Sequence, residues 1–166
     1  MVYSLKKFFN DDLVIAVTSG ILATLIKNCF SLLLWFFGLK HYLYWHLAAS
    51  LFLENFNISI LSLFIIGFLV DIAVAALLGI IFFYSLRLTG KQHAHLKAIF
   101  AGIFIWVGIT GLSTRLGISG IDFTDPSTIF SFLTTDVLFA QLLTYFILYF
   151  GKDYLPLRQY PGLDKE

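Results

Sequence analysis

The chain has 166 residues, of which 59% are hydrophobic and only 13% charged, and its mean hydropathy is +0.88. An average soluble domain carries roughly 25% charge, so this composition argues against a water-surrounded globule. The formal net charge of +1 argues against nucleic acid, which needs a concentrated basic face.

Residues 1–12 form an N-terminal segment in which Lys6 and Lys7 precede the first apolar run. That run, 13–39, is too long for a signal-peptide core of about 7–15 residues, and no small-x-small cleavage site closes it. It reads as a permanent span. A helix crosses a hydrocarbon core in about 20 residues, and four runs meet that length: 13–39, 58–86, 94–112 and 129–150. The first two exceed it, so tilt or projection into the headgroups is expected. In the first span Ala16, Gly20, Ala23, Thr24, Lys27 and Ser31 share one face at helical spacing. Cys29 lies in the same span and is the only cysteine, so the chain has no intrachain disulfide.

The segment from Lys40 to Asn57 mixes Tyr42, Tyr44, Trp45, Leu51, Phe52 and Phe56 with Lys40, His46 and Glu54. This pattern suits a helix lying in the outer interface or dipping partly into it. In the second span Gly67, Asp71, Ala75 and Gly79 form a strict four-residue stripe, and Thr89-Gly90 is a helix stop. The third span offers Ala94, Ala98, Gly102 and Gly108, with Lys97 able to snorkel to the interface. Asp125-Pro126 is a good start for the fourth helix, as N-cap and first position. That helix carries Asp136, Ala140 and Thr144 on one face. The tail, 151–166, holds Pro156, Pro161 and Gly162 and is expected to be extended or disordered.

Basic residues set the expected orientation. Lys6, Lys7, Arg87, Lys91, Lys97, Lys152, Arg158 and Lys165 fall on one side, against Lys40 and Arg115 on the other. The positive-inside rule then places both termini in the cytoplasm. The expected fold is an all-α membrane protein with four transmembrane helices in a bundle, N-in and C-in. An outer interfacial segment joins the first two helices.

Small residues let helices approach closely where lipid provides no hydrophobic drive, so the small-residue stripes should face the interior. Lys27, Asp71 and Asp136 lie on those stripes. Counted from the nearest cytoplasmic-side charge, they sit 15 positions beyond Asp12, 16 before Arg87 and 16 before Lys152. One layer near the middle of the membrane is expected. Pairing Lys27 with either aspartate relieves much of the cost of burial and leaves one carboxylate over. That acid can share the lysine, bond to Asn28, Thr135 or Gln141, or take up a proton.

The leading expectation for such a layer is a structural lock in a non-enzymatic accessory or scaffold protein. A small ion- or proton-coupled transporter acting through Asp71 or Asp136 is the alternative, and intramembrane catalysis comes third. Catalysis has the weakest support. Size and topology are similar to those of lipoprotein signal peptidases, but those enzymes hold their aspartates in Asn-x-x-Asp-Arg and Asn-x-Ala-Asp contexts. Here the flanks read Gly67-Phe-Leu-Val-Asp71 and Leu133-Thr-Thr-Asp136. The Gly-x-Gly-Asp motif of intramembrane aspartyl proteases is also missing. His41, His46 and Glu54, or His93 and His95, lack metal-ligand spacing and read as interface residues. No cofactor fingerprint is present. The expectation is a non-enzymatic protein without cofactor or metal, whose partners are the bilayer and a second copy or another membrane protein.

One resemblance runs along most of the chain. It rests on Gly20-Ile-Leu-Ala-Thr-Leu-Ile-Lys27, Gly38-Leu39, the aromatic outer segment, Leu77-Leu-Gly-Ile-Ile-Phe-Phe-Tyr84 before a basic turn, and Ala98-Ile-Phe-Ala-Gly102 with Trp106. The chain resembles a group of small, uncharacterised four-span membrane proteins of Gram-positive bacteria. The resemblance implies a plasma-membrane location and a four-helix fold, and carries over no catalytic or ligand residue.

Overall fold

A computed structural model describes residues 11–50, 59–115 and 125–151. The expectations for Lys6, Lys7, Phe52, Glu54, Phe56 and the tail fall outside those residues. The described elements are helical: α1 (Asp12–Phe36), α2 (Tyr44–Ser50), α3 (Ile60–Thr89), α4 (Ala94–Ile105), α5 (Leu112–Arg115) and α6 (Pro126–Phe150). A π-helical segment, Trp106–Gly111, joins α4 to α5. Four helices, with α4 taken on through the π segment, are long and apolar enough to cross a membrane.

Local chemistry sets where these helices start and stop. The Asp11 carboxylate caps α1 by accepting from the Leu13 N–H at 2.8 Å. Ser59 Oγ caps α3 by accepting from Ser62 N–H at 3.2 Å. Asp125 caps α6 through the Thr128 N–H at 2.9 Å, with Pro126 in the first turn. Each satisfies an N–H that the helix itself leaves unpaired. The Asp125 cap starts α6 one turn earlier than the apolar run alone suggests. At the other end of α3, Gly90 has φ of 79°, which only glycine adopts freely.

α1 packs on α3 and α6, α4 packs on α6, and α2 packs on α3. The expected small-residue faces carry this packing. Ala16, Gly20, Ala23, Thr24, Lys27 and Ser31 are all buried on α1, as are Gly67, Asp71, Ala75 and Gly79 on α3. A Cβ on Gly20 would meet the Ala75 carbonyl, and one on Gly79 the Ala16 carbonyl, so these two backbones touch. Gly102 packs the same way against Val137 of α6, whereas Gly108 has open space beside it.

The segment after α1 does not lie flat on the end of the bundle. Ser131 Oγ donates to the Leu39 carbonyl at 2.7 Å, and the His41 N–H reaches Thr128 Oγ1 at 3.3 Å. From there the chain runs along α6 until Tyr44 meets Asp136, ten residues beyond Pro126. Ten residues of helix are about 15 Å of rise. Helix α2 is then wedged against α3 at Gly67, where a Cβ would collide with the Trp45 carbonyl. Tyr44, Leu47 and Phe132 form a second small core, against which Tyr42, Trp106 and Ile109 pack.

Candidate functional site

Lys27, Asp71 and Asp136 line one cavity, and the two aspartates are held differently. Lys27 pairs with Asp71: its Nζ donates to Oδ1 at 2.8 Å, with both side chains buried. The other oxygen of Asp71 accepts from Asn28 Nδ2 at 2.7 Å and Thr24 Oγ1 at 3.2 Å. Residues 24, 27 and 28 of α1 are i, i+3 and i+4, so one face delivers all three donors to one carboxylate. Both oxygens of Asp71 are satisfied.

Asp136 is partnered by a residue the sequence placed in the interface. Tyr44 O–H donates to Asp136 Oδ1 at 2.6 Å, and lies 2.7 Å from Thr135 Oγ1 and 3.2 Å from the Phe132 carbonyl. A phenol has one proton, and the nearest and only charged acceptor takes it. The second oxygen, Asp136 Oδ2, is buried and has no hydrogen-bond partner among the described residues.

Lys40 supplies a fourth charge. As the first cation after an apolar run it reads as an interface residue, yet it is only 1% exposed. Its Nζ has no hydrogen-bond partner among the described residues and stands 3.7 Å from the centre of the Phe132 ring and 4.1 Å from that of Tyr44. Lys27 Nζ lies 3.8 Å from the same Tyr44 ring. The face of an aromatic ring is electronegative and attracts cations. Tyr44 therefore takes two ammonium groups on its ring while its hydroxyl serves a carboxylate. Burial is the main cause that holds Lys40 well below its usual pKa of 10.5. Lys27 adds to that effect, and Asp136 and Asp71 oppose it. Burial and the Asp136 charge push the Tyr44 phenol up, so it stays a donor.

The sequence-based supporting residues separate. Asn28 joins Asp71 and Thr135 joins the Tyr44–Asp136 pair, but Gln141 does not reach the layer. Its Nε2 donates to the His95 carbonyl at 2.9 Å, and its Oε1 lies 3.0 Å from His95 Nδ1. Five residues of helix rotate Gln141 about 140° from Asp136, which turns it toward α4. Tyr44 and Lys40 are the functional candidates that the sequence reading missed. No spacing rule marks them, because their place depends on how α2 docks.

Asp136, Asp71, Lys27 and Tyr44 line a cavity of about 60 Å³. Its remaining wall is apolar, with Val74 and Leu78 from α3, Ile105 and Ile109 from the α4 side, and Phe139 from α6. The site thus combines a closed ion pair with a buried carboxylate that has one oxygen without a hydrogen-bond partner among the described residues, which allows proton uptake at that oxygen. No protein-family model, curated protein or solved structure matches this chain.

Proposed function

We propose that this small integral membrane protein handles protons or a small cation within the membrane, with Asp136 as the exchangeable group. Lys27, Asp71, Thr24 and Asn28 act as the fixed lock beside it. The observation that carries this reading is the unpartnered, buried Asp136 Oδ2 in the layer that lines the cavity. An intramembrane acid with a free oxygen is what proton coupling needs, because the proton must arrive and leave without breaking the fold. Lys27 balances Asp71 directly, so uptake of one proton at Asp136 changes the charge of the whole cluster. On this reading the protein is non-enzymatic, sits in the plasma membrane with both termini cytoplasmic, and works as an oligomer, since four helices enclose little space. The similarity to four-span proteins of Gram-positive bacteria remains part of the proposal and rests on packing residues alone.

A scaffold function is the second reading, favoured by the complete satisfaction of Asp71. Solid-supported-membrane currents from proteoliposomes under a pH step separate the two. Wild type should give a pH-driven current and Asp136→Asn should lose it while purifying as a folded protein. Wild type that stays silent under every pH step supports the scaffold.

A further inference from the structure

A second, larger groove runs between α3 and α4, which touch at Thr89 and Lys97 and pack only loosely elsewhere. Its volume is about 840 Å³; Ala140 and Leu143 of α6 form its floor, and Phe82, Ser85, Phe100 and Phe104 belong to its walls. At one end lie Thr89 and Lys97; at the other lie Leu78 and Ile105, which also line the polar cavity. The groove therefore leads from the basic end of the bundle to the side of the charged layer.

Its dimensions select an occupant. From Leu78 to Thr89 is about 16 Å of helix, roughly half of a hydrocarbon core about 30 Å thick. With the long helices spanning a bilayer, that is the depth of one leaflet. An apolar groove of one leaflet's depth fits extended hydrocarbon. The basic end carries Arg87, Lys91 and Lys97. Arg87 is paired with Asp12, Lys91 has no ion-pair partner among the described residues, and Lys97 binds only neutral oxygens of Thr89 and Gly90. Among the described residues, the uncompensated charge at this mouth is positive.

We infer that the α3–α4 groove holds an acyl chain of an anionic phospholipid, with its headgroup beside Lys91 and Lys97. The chain terminus lies at Leu78 and Ile105, where it closes the lateral side of the polar cavity. This site stands independently of proton handling at Asp136.

The test uses the full chain in phosphatidylcholine vesicles doped with phosphatidylglycerol that carries a photoreactive group on its acyl chain. The same label on phosphatidylcholine is the comparison. Labelling should concentrate on Phe82, Ser85, Phe100 and Phe104, several-fold above the exposed Leu33 and Phe36 of α1, and phosphatidylglycerol should exceed phosphatidylcholine. Ala101→Phe, which fills the groove, should remove the excess. Lys97→Gln leaves the groove open and should lower the phosphatidylglycerol preference about five-fold. Uniform labelling of all exposed apolar residues, or equal labelling by the two lipids, overturns the inference. So does an intermolecular disulfide in Ser85→Cys protein whose groove stays unlabelled, since a second copy would then occupy it.

Discussion

Asp71 and Asp136 lie in one layer of one bundle, are both buried, and differ in how they are held. Asp71 receives three donors from a single face of α1, using both oxygens. Asp136 receives one donor, from Tyr44 at the start of α2, and its other oxygen has no hydrogen-bond partner among the described residues. Donors fixed on a long helix make a carboxylate part of the scaffold. A donor delivered by Tyr44, outside the long helices, makes its carboxylate conditional on α2 staying docked.

The largest effect is expected at the Asp71 half. Asp71→Leu leaves Lys27 buried without its counter-charge, and breaking a buried pair in this way costs about 3–5 kcal/mol. Thermal unfolding in detergent should show the loss, and Lys27→Met combined with Asp71→Leu should recover most of it. Equal stability of wild type and the Asp71 single variant would erase the distinction between the halves.

Next in size is Gly67→Val, which places a side chain against the Trp45 backbone; overpacking of this kind costs about 1–3 kcal/mol. It should undock α2 and leave the Lys27–Asp71 pair intact. The measurement is faster alkylation of a cysteine introduced at Leu47 with no change for one at Ser31. Tyr44→Phe asks less of the fold. It removes only the donor to Asp136, at about 1–3 kcal/mol for an unsatisfied buried acceptor. Infrared difference spectra should then show a protonated carboxyl at a higher pH than in wild type, and Asp136→Asn should abolish that band.

The smallest effect is the α6 cap. Hydrogen bonds from Ser127 and Thr128 hold the Asp125 carboxyl down at about 2, below its ordinary 3.8. A depressed folded pKa means that the cap stabilises fully above the ordinary value and is lost as pH falls through 2. Helicity measured from pH 5 to pH 2 should fall slightly in wild type and show a smaller change in Asp125→Ala.

The bundle was legible in the sequence because hydropathy and small-residue spacing act locally along each helix. Gly20, Ala23, Thr24 and Lys27 declare a face, and Gly67, Asp71, Ala75 and Gly79 declare another. Depth counting from terminal charges was enough to bring Lys27 and Asp71 together. It could not choose between Asp71 and Asp136 as the lysine's partner, because that depends on which helices neighbour α1. Lys40 and Tyr44 escaped for a different reason. A lysine after an apolar run, followed by aromatics, has the composition of a membrane interface, and only tertiary contacts, of α2 with Gly67 and of residues 39–44 with α6, carry it inward. The π segment opposite Tyr44 likewise leaves no mark in composition.

The docking of residues 39–44 also fixes an order of events during biogenesis. Leu39, His41 and Tyr44 bond to Ser131, Thr128, Phe132 and Asp136, partners roughly ninety positions later in the chain. Those partners are still unsynthesised when the first span leaves the ribosome. Until the last span inserts, Tyr44 lacks Asp136, Thr135 and Phe132 as hydrogen-bond partners, and Lys40 lacks the Phe132 ring. Insertion of the final span supplies them, so the docking of residues 39–44 is completed by the last helix.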